Sequence, residues 1–129
     1  PKSESVGESR TRLILQTLGM GFESQYVIED EAGRLIARVD FLVEGVVLEF
    51  DGRVKYRADL AAPGPDLALD PAEVVWLEKL REDRIRRRGY PVERVVWDDL
   101  DRPGLLGARL RAARPSAWRR SARDTRPGA

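Results

Sequence analysis

At 129 residues, 42% of them hydrophobic, the chain is long enough for one domain with a single core. It contains neither cysteine nor histidine, which excludes disulfides, zinc-thiolate sites, thiol nucleophiles and imidazole bases, and makes a reducing, cytoplasmic setting the natural expectation. The net charge of +1 conceals an asymmetry, because residues 1–78 carry 8 basic and 15 acidic side chains whereas residues 79–129 carry 15 and 7.

Ser5-Val-Gly-Glu8 reads as a capping box, and Leu13, Ile14, Leu15 and Leu18 follow at helical spacing, so a first helix is predicted over 5–18. Gly19 and Gly21 end it. Gln25–Glu29 reads as a strand, Asp30–Gly33 as a turn, Arg34–Val43 as a second strand and Val46–Asp51 as a third, together an antiparallel meander. Residues 57–71 read as a Pro-, Ala- and Asp-rich loop, about as long as compact domains tolerate without functional cause. A helix over 72–88 follows, with Pro71 at its start, Val74, Leu77, Leu80 and Ile85 as its apolar stripe and Gly89 as its stop. Tyr90–Trp97 is then a strand reached by a helical crossover, which makes parallel pairing the expectation. A last helix over 102–113 buries Leu105, Leu106 and Leu110. The organisation is thus a domain over 1–113 and a basic, disordered tail over 114–129. Trp76, Tyr90 and Trp97 are assigned to the core.

The hairpin holds the densest chemistry. If Glu44-Gly45 is its two-residue turn, facing residues sum to 89, which sets Asp40 opposite Glu49 and Arg38 opposite Asp51. Arg38, Asp40, Leu42, Val47, Glu49 and Asp51 then share one face, while Val39, Phe41, Val43, Val46, Leu48 and Phe50 make a wholly apolar one. A cross-strand pair of like charges costs up to ~1 kcal/mol unless a cation or a proton relieves it. Hard carboxylate oxygens suit Mg²⁺ or Mn²⁺. The bland alternative is a solvated hairpin face partly neutralised by Arg38.

ValAspPhe at 39–41, LeuGluPheAspGly at 48–52, ArgGlu at 81–82, Ile85, GlyTyr at 89–90 and ValGluArgValValTrp at 92–97, with Gln25 ahead of them, form a set. In this order the chain resembles the PD-(D/E)XK nuclease superfamily, and within it the very-short-patch-repair-like endonucleases. The resemblance covers most of residues 5–113. It implies an α/β fold, a restriction-endonuclease-like αβββαβα core whose mixed sheet is flanked by helices. It also implies hydrolysis of phosphodiester bonds in DNA with Mg²⁺ or Mn²⁺. Asp40 and Glu49 would be metal ligands, the Phe50 carbonyl a third, and Asp51 a further ligand or water-holding group. Actinobacterial proteins of similar sequence often carry a preceding winged-helix segment in AbiEi-type, antitoxin-like chains, which agrees with a start at Pro1 rather than Met.

The pattern departs from the superfamily at one place. Asp51 stands where the Glu-x-Lys version has its lysine, and Lys55 is the candidate substitute, with a solvated lysine as the alternative. Glu8 matches an acid that the first helix sends toward the metal, although capping alone explains it. Arg81 and Glu82, with Glu78, match a charged stripe facing the site, or else a solvated helix face. Arg84, Arg86, Arg87 and Arg88 on the helix end and Arg119 and Arg120 in the tail are the candidate nucleic-acid contacts. Two functions stay open. One is a metal-dependent DNA endonuclease, in which cutting both strands would favour a homodimer. The other is a nuclease-derived, catalytically silent DNA- or protein-binding module of a toxin–antitoxin-like regulator. No stretch is long and apolar enough to predict a membrane span, and the N-terminus has no signal core, so a soluble, cytoplasmic protein is expected.

Overall fold

The computed structural model describes residues 5–52 and 70–118. Its elements run α1 (Val6–Leu18), β1 (Phe22–Glu29), β2 (Leu35–Val43), β3 (Val46–Phe50), α2 (Pro71–Arg87), β4 (Val92–Val95), α3 (Trp97–Leu100) and α4 (Pro103–Ala113). The protein is mixed α/β, with one four-stranded sheet in the order β1-β2-β3-β4 and helices packed on it. β1, β2 and β3 pair antiparallel, and β4 pairs parallel to β3 after the α2 crossover, as the helical connection predicts. The strand predicted over Tyr90–Trp97 stops at Val95, and a short helix that the sequence reading lacks, α3, begins at Trp97. Asp99 makes that strand end early by accepting the Val96 N–H at 2.8 Å, which turns the chain into helix.

Local sequence sets the boundaries. Ser5 caps α1 through a complete capping box, with Glu8 N–H on Ser5 Oγ at 3.1 Å and Ser5 N–H on Glu8 Oε1 at 2.9 Å. Asp70 caps α2, and Pro71 opens it. Glu44 and Gly45 both have positive φ, 49° and 88°, the conformation of a type I′ turn whose twist matches the strands it joins. The facing pairs Val43–Val46, Leu42–Val47 and Phe41–Leu48 follow from it.

The pairing predicted beyond Phe41 is corrected at Asp40. The β2–β3 ladder ends at Phe41–Leu48, so Asp40 is not laddered to Glu49, nor Arg38 to Asp51. Asp40 Oδ2 instead accepts the Phe50 N–H at 2.9 Å, and the Asp51 N–H goes to the Val95 carbonyl at 2.8 Å. On the other side of β2 the paired positions skip Asp40 as well, and the residue that would face it, Gln25, has φ 52°. The irregularity divides the predicted apolar face. Phe41 and Val43 join Leu15, Val46, Leu48, Val95, Leu106 and Leu110 in the core under α1, α3 and α4. Val39 and Ala37 join Ile28, Val47, Val92 and Ile85 in the core under α2. Irregularities of this kind recur beside functional sites because they re-aim a side chain.

Several residues expected inside lie outside. Trp76 is 57% exposed and Leu77 51%, because α2 buries only Ile85 and meets the sheet along a narrow stripe. Leu13 and Leu105 are exposed too, for each helix presents one face to the core and these lie off it. Of the predicted tail, residues 116–118 form a helical turn, and Arg114 binds Glu44 at 2.8 Å while Trp118 packs over its guanidinium. Lys55, Arg119 and Arg120 lie outside the described residues, as does most of the predicted loop over 57–71. Among the described residues no helix is long and apolar enough to cross a membrane.

Candidate active site

A cleft of about 540 Å³ opens between the β2–β3 end of the sheet, the start of α1 and the face of α2. Its lining includes Glu8, Asp40, Glu49, Phe50, Asp51, Glu78, Arg81 and Arg94. It thus gathers the three hairpin acids with Glu8 from α1 and Arg81 from α2, five of the residues singled out in the sequence. Sequence reasoning passed over Arg94. The signal was its place in β4, since the parallel register sets it beside Glu49.

Each group is placed by local structure. Glu49 and Asp51 extend from the same face of β3 as Val47, which is fully buried against the α2 side. Glu8 reaches the cleft because α1 lies very close to β3. Gly7 has no side chain, and a Cβ there would fall 2.1 Å from the Phe50 ring. Phe50 is braced behind by Trp97, with ring centroids 4.9 Å apart in a T-shaped contact. The Glu8 carboxyl caps α1 and also lines the cleft beside Asp40.

That arrangement changes the chemistry of Asp40. Burial first, and then the hydrogen bond with the Glu8 carboxyl, push Asp40 up from 3.8 to about 7, with Glu49 adding repulsion and the Phe50 N–H opposing. Glu49 has a different solution. Both guanidinium Nη atoms of Arg81 donate to its two oxygens, at 2.9 and 2.8 Å, and Nη2 also donates to the Arg38 carbonyl at 3.0 Å. The fork in turn holds the Arg81 guanidinium above its ordinary pKa.

The charges continue along α2. Arg94 and Arg86 both bind Glu82, at 2.8 and 3.0 Å, and Glu78 lies 3.9 Å from both Arg81 and Arg94. Burial alone would raise Glu82, but the hydrogen bonds from Arg94 and Arg86 outweigh it and hold the carboxyl below its ordinary value. Glu82 therefore faces β4 rather than the centre of the cleft. Arg86 is engaged a second time by the Val92 carbonyl at 3.2 Å, whereas Arg84, Arg87 and Arg88 are exposed at the helix end.

Five acids against two arginines leave the cleft anionic. Among the described residues no three acids converge as a ready ligand set for a metal ion. The donor chemistry nonetheless suits Mg²⁺ or Mn²⁺, because the oxygens are hard and a cation would relieve the repulsion that helps to raise Asp40. Compared with models of known families, with curated proteins and with solved structures, the chain matches none.

Proposed function

We propose that the protein hydrolyses phosphodiester bonds in DNA with Mg²⁺ or Mn²⁺, as an endonuclease. The observation that carries this reading is that Asp40 from β2, Glu49 and Asp51 from the β3 end and Glu8 from α1 line one cleft beside Arg81. Asp40, Glu49, the Phe50 carbonyl and Asp51 would hold the ion. A bound divalent cation would supply Lewis acidity, lowering the pKa of a coordinated water and offsetting charge on the phosphate. The chain's own contributions are distinct. Asp40, its carboxyl raised by burial and by Glu8, can release a proton as negative charge is neutralised, and Arg81 is a planar fork whose geometry fits two phosphate oxygens. The exposed Arg84, Arg87 and Arg88 lie about 5–10 Å further along the same helix, in reach of neighbouring phosphates on a bound strand.

A second reading is a nuclease-derived module that binds DNA or protein without turnover. The Arg81 fork on Glu49 favours it, because a cationic side chain already occupies the carboxylate a metal would need. A plasmid-nicking assay with Mg²⁺ or Mn²⁺ separates the two. The endonuclease reading expects nicking by the parent chain that is abolished in Asp40→Asn. Salt-sensitive DNA binding with no nicking of single-stranded, duplex or mismatched substrates would replace it with the binding module.

A further inference from the structure

We propose that Arg81 and a divalent cation compete for the Glu49 carboxylate, so that the arginine is an internal stand-in for the metal and sets the order in which the cleft is filled. The inference rests on the reading that Asp40 and Glu49 hold a metal. Its own basis is the geometry at Glu49. Both carboxylate oxygens are taken by the two Nη atoms of one guanidinium, at 2.9 and 2.8 Å, and the pair is largely withdrawn from water, with 13% of the Glu49 side chain and 23% of the Arg81 side chain exposed. An ion that takes the same lone pairs must break the fork, and one that takes the remaining lone pairs meets the positive charge of the guanidinium.

The exchange has somewhere to go. Glu78, one turn away on the same helix, lies 3.9 Å from Arg81, and the Arg38 carbonyl holds Nη2 from a second direction at 3.0 Å. Arg81 released from Glu49 is therefore held at the rim of the cleft, where an incoming anion would meet its charge. Without a cation the cleft's surplus of carboxylates repels phosphate, so the ion enters first. Its arrival displaces the guanidinium, and only then is a free fork available to a phosphodiester. Arg81 acts here as a positioning residue that couples metal binding to polyanion binding.

Titration calorimetry of Mn²⁺ into the intact chain tests this without any activity readout. Arg81→Gln removes the competitor, and Mn²⁺ should bind about tenfold or more tightly, the effect of losing one charge-assisted fork. Arg81→Lys keeps the charge but cannot grip both oxygens, so it should also bind more tightly than the parent, and it guards against a folding defect in the glutamine variant. Arg94→Gln removes an equal charge from the same cleft without touching Glu49, and should change affinity much less. Unchanged or weaker binding in both Arg81 variants, with the parent binding Mn²⁺, overturns the competition and leaves the metal site standing. A gain in Arg94→Gln equal to that in Arg81→Gln also overturns it, by reducing the effect to long-range charge. Failure of the parent and every variant to bind Mn²⁺ removes the metal reading and this inference with it.

Discussion

The two faces of the sheet are covered by helices in different ways. Under α1, α3 and α4 the contact is dry, with Leu15, Phe41, Val43, Val46, Leu48, Val95, Leu106 and Leu110 buried to within 1%. Under α2 the apolar contact is small and centred on Ile85, and the rest of the helix is joined to β3 and β4 by alternating charges, from Arg86 through Glu82, Arg94, Glu78 and Arg81 to Glu49. Packing gains free energy in proportion to area and resists rearrangement, whereas ion pairs open to water, as toward Arg86, contribute little net stability and exchange partners readily. One face fixes the scaffold and the other is adaptable.

This contrast can be broken most directly on the dry face. Leu48→Ala should lower unfolding free energy in urea by about 2–5 kcal/mol, because the surrounding core cannot close the space. Gly7→Ala comes next, at about 1–3 kcal/mol. A helical alanine is ordinarily favoured over glycine, but here its Cβ must displace the Phe50 ring, itself held by Trp97. A stabilised Gly7→Ala variant would mean that the close approach of α1 to β3 is not maintained in solution.

The third prediction concerns pH. Asp40, facing Glu8 from α1, Glu49 from β3 and Arg81 from α2, has its folded pKa raised to about 7 from 3.8. The native state therefore keeps the proton after the unfolded chain has lost it. The contribution of Asp40 to stability is present below about pH 4 and is lost as pH rises through 7. Asp40→Asn should match the parent near pH 4 and be more stable than it above pH 7, as read by denaturant midpoints at each pH. A constant difference across that range would show that Asp40 does not hold a proton. The smallest effect belongs to the outer end of the charge chain. Arg86→Ala should cost no more than about 0.5 kcal/mol and should fade with added salt, since the Arg86 side chain is about half exposed.

Legibility in the sequence followed the same division. Wherever one local rule decides, it could be read: the capping box at Ser5, Pro71 at the start of α2, the Glu44-Gly45 turn with its first three facing pairs, and the parallel return of β4. Register failed at Asp40, because Gln25 carries no signal that it will adopt a positive φ, and no hairpin rule anticipates a partner strand on the far side. The helix stripes were drawn too wide at Leu13, Leu77 and Leu105, since spacing marks an apolar face without saying how much of it a neighbour covers. The grouping of Glu8, Asp40, Glu49, Asp51 and Arg81 was legible, but the partner of Glu49 was not. Thirty-two positions separate it from Arg81, and charge patterning along one helix cannot show whether an acid on a strand will take an arginine or an ion.

The attachment of the C-terminal segment to the hairpin turn has a consequence for how the chain is made. Arg114 reaches back 70 positions to Glu44, and Pro115 and Trp118 lie against Gly45 so closely that a Cβ there would come within 2.9 Å of the proline ring. The turn can form as soon as its own few residues have emerged from the ribosome, yet the clasp that secures it is synthesised 70 positions later. During translation the hairpin must therefore persist unlatched while the rest of the sheet assembles around it. A chain released just after Ala113 should keep its core and lose protection from hydrogen exchange first at the amides of residues 43–46.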